Sequence, residues 1–160
     1  MSEFDDIRPY NDDEVAPIIE RLLKDPELIL AVTKLRFPRA SGPFGWLLRP
    51  LVRQVLARQV KTVNSVDDFQ MVVKKYLRHM IDTTTTGLSC SGLDKLEKGK
   101  PYLFISNHRD ITLDPGFVNW TLYFAGFNTL KIAIGDNLLT KPYVTDLMRI
   151  NKSFIVNRSA

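Results

Sequence analysis

The stretch Ser106-Asn107-His108-Arg109-Asp110-Ile111-Thr112-Leu113-Asp114-Pro115 holds the residues best suited to proton-transfer chemistry. An imidazole ionises near neutral pH, so His108 could take a proton from a hydroxyl as that oxygen attacks an electrophile. A carboxylate nearby would orient the ring and stabilise its cation, and both Asp110 and Asp114 are within a few residues. Base catalysis of this kind contributes roughly 10²–10⁴-fold. Each residue also has a structural reading. His108 alone could be a surface histidine. Asp114, directly before Pro115, could cap a helix and stabilise it by ~0.5–2 kcal/mol. Asp110 could be a loop or capping residue, and Arg109 a solvated charge.

The elements around this loop must present it. Tyr102–Ser106 is a short apolar run with strand character before the loop, and Asp114–Phe127 reads as the helix after it. Open α/β sheets place their sites at the C-terminal ends of strands. Upstream, Gly87–Gly92 also has strand character, with a turn at Lys98-Gly99-Lys100-Pro101 between the two runs. Downstream come a strand at Leu130–Ile134, a helix at Lys141–Ile150 and a strand at Ser153–Val156. Strands alternating with helices predict a mainly parallel sheet.

The first half of the chain reads differently. Val15, Ile18, Ile19, Leu22 and Leu23 recur at helical spacing before an Asp25-Pro26 break. Leu28–Phe37 is a second helix, closed by Pro38 and the Ser41-Gly42-Pro43 turn. Phe44–Val63 is a third, with Phe44, Leu47, Leu48, Leu51, Val52 and Val55 on one arc and Arg49, Arg53, Ala57 and Lys61 opposite. Pro50 should kink this helix or mark its start. Asp67–Ile81 is a fourth, with Phe69, Val72, Val73, Tyr76, Leu77 and Met80 as its apolar face. The expected organisation is therefore a helical segment over residues 1–84 and an α/β part over 85–160.

Charge is unevenly spread. The net charge is +4, yet residues 1–27 hold nine of the eighteen acids. From Leu28 to Val66 there is no acid and there are seven bases: Lys34, Arg36, Arg39, Arg49, Arg53, Arg58 and Lys61. Such a stretch wants an anionic partner, whether phospholipid, nucleic acid or an acidic surface of the same chain. Nucleic acid is the weaker choice, because no nucleic-acid-binding motif is present and aromatics do not interleave with the bases. The third helix could pack inward or lie on a membrane, with Phe44 and Trp46 entering the headgroup region and Arg49 and Arg53 meeting anionic lipid. No apolar run reaches the ~18 residues of a membrane-spanning helix, and the acidic N-terminus lacks the pattern of a secretory signal.

Cysteine and histidine are scarce. Cys90 is the single cysteine, so no intrachain disulfide can form, and a reducing compartment is the simpler reading. Cys90 is expected to pack within a strand, and His79 to lie on a helix surface. Two histidines and one cysteine without close spacing do not suggest a metal site.

Several blocks together resemble the 1-acylglycerol-3-phosphate acyltransferases, a branch of the glycerolipid acyltransferases. Asn107-His108 followed by Asp114-Pro115 at the head of a helix is similar to that family's His-x4-Asp motif, here as His-x5-Asp. Gly92-Leu93-Asp94 and Gly99–Ser106 resemble its approach to the motif. Ile134-Gly135-Asp136-Asn137-Leu138-Leu139, Pro142 and Met148 resemble its second block. Phe154-Ile155-Val156-Asn157-Arg158 resembles its Phe-Ile-x-Arg block with one residue more. The resemblance covers roughly Gly87 to Arg158.

The resemblance implies an α/β acyltransferase core preceded by a helical segment. It implies O-acyl transfer of the phospholipid-biosynthesis type, from acyl-CoA or acyl-carrier protein to a hydroxyl of glycerol-3-phosphate, lysophosphatidic acid or a related lipid. His108 would be the general base and Asp114 its partner, since Asp114 keeps the family's position just before the helix. Arg158 would contact the acceptor phosphate, with Asn107, Arg109 and Asp110 near substrate. No metal or organic cofactor is implied, because the thioester is already activated. The implied location is peripheral, on the cytoplasmic face of a membrane. The family domain normally continues into a Glu-Gly-x-Arg segment, so the chain is expected to be the first part of a longer domain. The alternative expectation is a non-catalytic lipid-binding module that keeps the fold.

Overall fold

The computed structural model describes residues 4–38, 45–107 and 109–158. It is mostly helical, with one two-stranded sheet. In chain order the elements are α1 (Asp12–Lys24), α2 (Pro26–Arg36), α3 (Gly45–Val60), α4 (Val66–Thr84), α5 (Leu113–Phe124), β1 (Ile132–Gly135), α6 (Pro142–Ile150) and β2 (Ser153–Val156). The chain divides into two compact units, Met1–Val72 with Ala133–Ala160, and Val73–Ile132.

Local signals set the helix starts in the first unit. The Asn11 N–H donates to the Glu14 carboxylate (2.8 Å) at the head of α1. Asp25 caps α2 by accepting from the N–H groups of Glu27 (2.8 Å) and Leu28 (2.9 Å), with Pro26 at the first helical position. Ser65 and Asp68 form a reciprocal capping box for α4, each backbone N–H donating to the other's side chain at 3.1 Å. The core of this unit holds Val15, Ile18, Ile19 and Leu22 of α1, Ile29 of α2, Val52 of α3, Phe69 of α4 and Ile150 of α6. Val15, Ile18, Ile19, Leu22, Val52 and Phe69 are among the residues whose helical spacing predicts an inward face.

A polar cluster joins the two ends of this unit. Asp146 on α6 is buried and accepts two bonds from Arg21 (2.6 and 2.7 Å) and one from the Tyr10 hydroxyl (2.8 Å). Arg149 stacks on the Tyr10 ring at 4.2 Å and donates to the Arg8 carbonyl at 2.8 Å. The Ile155 N–H in β2 donates to the Ile7 carbonyl at 2.8 Å. The leader 4–10 thus runs beside α6 and β2 and holds them in place.

In the second unit α5 is anchored by the buried Leu122, and the Asn119 side chain accepts from the Leu130 N–H at 2.7 Å. The Lys74 ammonium sits 4.2 Å from the Tyr123 ring centre and donates to its hydroxyl. A Cβ on Gly116 would lie 3.6 Å from Leu77, so α4 and α5 approach closely there.

Four sequence expectations are corrected. Gly87–Gly92 and Tyr102–Ser106 are not strands. Among the described residues no backbone hydrogen bond reaches 101–107, and Leu103 and Ile105 are 86% and 87% exposed. A run of strand-forming residues becomes a strand only when another strand pairs with it, so the sheet is β1 with β2 alone. Cys90, expected to pack, is exposed for the same reason. Helix α5 starts at Leu113, one residue before Asp114, and ends at Phe124. Gly126, at φ +77°, closes it as a left-handed C-terminal residue, its N–H bonding the Tyr123 carbonyl. Of the two readings of Pro50, the helix start is excluded, because α3 runs from Gly45 through it.

Candidate functional site

The loop before α5 is built around two aspartates whose side chains each accept from two backbone N–H groups. Asp110 Oδ1 accepts from the N–H groups of Thr112 (2.9 Å) and Leu113 (2.7 Å), which caps the helix. Asp114 Oδ2 accepts from the N–H groups of Arg109 (2.6 Å) and Asp110 (2.8 Å). Asp114 is half-buried, while Asn107, Arg109 and Asp110 are exposed. The sequence reading of Asp114 as N-cap is therefore corrected: Asp110 caps, and Asp114 lies in the first turn facing back into the loop. Two amide donors fix the Asp114 carboxylate in one orientation, as an orienting carboxylate requires. His108 lies outside the described residues, as does Phe44.

Arg158 belongs to the first unit and follows β2. Its backbone N–H points at Asp136 Oδ1 (3.4 Å), just after β1. Pairing of β1 with β2 brings the sequence blocks around Gly135 and Arg158 together. Gly135 is buried, and a Cβ there would lie 2.5 Å from Asn137 Oδ1 and 2.9 Å from Arg158 Nε. Among the described residues no carboxylate pairs with the Arg158 guanidinium. Such a fork is matched to phosphate geometry. The packing role of Gly135 was not read from sequence, because nothing local links positions 135 and 158.

The third candidate surface is α3. Only Gly45 and Val52 are buried on it. Leu47, Leu51 and Val55 recur at four-residue spacing and are exposed, as are Trp46 (62%), Arg49, Arg53 and Arg58. Leu47, Pro50, Leu51, Arg53, Gln54 and Ala57 line a shallow groove. Among the described residues Lys34, Arg36, Arg49, Arg53, Arg58 and Lys61 form no ion pair with a carboxylate of the chain. The acid-free stretch is therefore not neutralised by those acidic residues. No described helix is long and apolar enough to cross a membrane. Among the described residues no cluster of His, Cys, Asp and Glu has the grouping of a metal site.

Comparison with known families gives one match, over the second half of the chain. Residues 87–160 match the acyltransferase family model. The match falls on the same stretch, Gly87 to Arg158, whose blocks resemble that family, and bears out the resemblance at the level of the family. The matched stretch of sequence includes Asp110, Asp114, Gly135 and Arg158. No curated protein and no solved structure matches the chain.

Proposed function

We propose that the protein transfers a fatty acyl group from a thioester, acyl-CoA or acyl-carrier protein, to a hydroxyl of glycerol-3-phosphate, lysophosphatidic acid or a related acceptor. The observation that carries this reading is the carboxylate of Asp114, held by two backbone amides within the segment that matches the acyltransferase family. His108 takes the proton from the acceptor hydroxyl as its oxygen attacks the thioester carbonyl. The new C–O bond forms, the C–S bond breaks, and the thiolate leaves and recovers the proton from His108. Asp114 orients the imidazole and stabilises its cation. Arg158 receives the acceptor phosphate, and Asn107, Arg109 and Asp110 border the substrate. The reaction needs no metal or organic cofactor, because the thioester supplies the activated acyl group.

The same reading puts the protein peripherally on the cytoplasmic face of a membrane, with residues 1–84 as the docking segment. Trp46, Leu47, Leu51 and Val55 would enter the interface while Arg49 and Arg53 meet anionic headgroups. The test is thiol release from acyl-CoA with and without glycerol-3-phosphate or lysophosphatidic acid. Acceptor-dependent release that His108→Ala abolishes supports the reading. Absence of release with intact vesicle binding supports a non-catalytic lipid-binding module instead.

A further inference from the structure

We infer that Gly135 is a positioning residue for Arg158 and thereby sets the affinity for the phosphate of the acceptor. The inference rests on the proposed acyl transfer for its substrate, but its geometry stands by itself. The Arg158 side chain crosses the face of Gly135 so closely that a Cβ there would come within 2.9 Å of Nε and 3.4 Å of Cζ. Contacts below 3.0 Å are not tolerated, so a side chain at 135 requires Asn137 Oδ1 and the Arg158 guanidinium to move. The backbone of Gly135 is not the reason for glycine, since its φ of −70° and ψ of 139° are open to any residue. The glycine is explained by what passes over it.

Three further features surround the arginine. β1 pairs with β2, and Arg158 follows the end of β2 by two residues. Asp136 Oδ1 receives the Arg158 backbone N–H. Asn137 Oδ1 lies 2.5 Å from the same Cβ position. The Arg158 side chain is exposed, and its Nε end lies over Gly135. Its planar fork can bind a phosphate in two parallel bonds, which depends on orientation more than on charge alone.

The experiment measures glycerol-3-phosphate binding by calorimetry, and acyl transfer separately, on the wild type, Gly135→Ala, Arg158→Ala and the double variant. Each single substitution should weaken binding by roughly 10- to 100-fold, the range lost with a charge-assisted contact. The double variant should bind no worse than Arg158→Ala, because the two changes remove one interaction. In turnover, KM for the acceptor should rise while kcat and KM for acyl-CoA hold. Gly135→Ala/Asn137→Ala relieves the second contact and guards against loss of the fold; it should remain weakened. Wild-type affinity in Gly135→Ala, additive losses, or full rescue by Asn137→Ala would each overturn the inference. Binding that depends on Arg158 in a chain without turnover would overturn the acyl-transfer reading while leaving Gly135's role intact.

Discussion

The backbone N–H of Asp110 donates to Asp114 Oδ2 at 2.8 Å, while the Asp110 carboxylate caps the helix on which Asp114 stands. The two aspartates therefore have separable duties. Asn at 110 keeps a capping oxygen, so Asp110→Asn should retain most activity, and Asp110→Ala should lose about 1 kcal/mol of stability. Asp114→Asn keeps the shape but loses the charge that stabilises an imidazolium, and kcat should fall about 10²-fold or more. Steady-state kinetics on the three variants check this. Loss of turnover in Asp110→Asn alone would reverse the assignment.

The Asp146 cluster should matter to folding rather than to chemistry. Asp146→Ala leaves the Tyr10 hydroxyl and the Arg21 guanidinium without their shared acceptor. The expected loss is about 1–3 kcal/mol in urea unfolding. Arg21 is largely exposed, so water re-solvates it and Arg21→Ala should cost less than Asp146→Ala. Equal losses would show that the ion pair, and not the buried carboxylate, dominates.

Acid should weaken the first unit through defined groups. Arg8, bonded to Glu14, holds that carboxyl below the usual range, and Lys24 does the same for Glu20. Asp68 is lowered by the Asn64 N–H and then by the Ser65 side chain. A carboxylate whose folded pKa is depressed contributes stability above its unfolded pKa and loses it as pH falls through the folded value. Stability should therefore be level from neutral pH down to about pH 5 and decline below the ordinary carboxylate range of about 4. Arg8→Ala should shrink that decline. An unchanged slope in Arg8→Ala between pH 5 and pH 3 would contradict the Glu14 assignment.

Helix α3 should bind anionic vesicles in proportion to its charge. Each base near the surface contributes about 1 kcal/mol, so Arg49→Glu/Arg53→Glu should weaken binding about 30-fold or more. Leu47→Asp should weaken it at every salt concentration, whereas the arginine effect should fade as salt rises. Vesicle co-sedimentation with phosphatidylserine against phosphatidylcholine measures both. Binding equal on the two lipids would contradict the basic-face reading.

The helical part and the last strand were legible because their signals are local. Periodic Val15, Ile18, Ile19 and Leu22, the Asp25-Pro26 break and the Ser153–Val156 run all correspond to observed elements. Tyr102–Ser106 was misread because a strand is a property of two segments, and no partner pairs with this one among the described residues. The exposed stripe of α3 was half legible: spacing grouped Leu47, Leu51, Val52 and Val55, but only packing sends Val52 inward and leaves the others out. The loop chemistry was visible as residue types. The division of labour between Asp110 and Asp114 was not, since it turns on which amide each oxygen meets. The closeness of Gly135 to Arg158, and of Tyr10 to Asp146, joins distant positions that no local pattern connects.

The most direct test of the central claim is acceptor-dependent thiol release from acyl-CoA by the 160-residue chain, with His108→Ala beside it. The expected result is release that requires glycerol-3-phosphate or lysophosphatidic acid and falls to background in the variant. Release that is unchanged in His108→Ala, or that ignores the acceptor, would contradict the account.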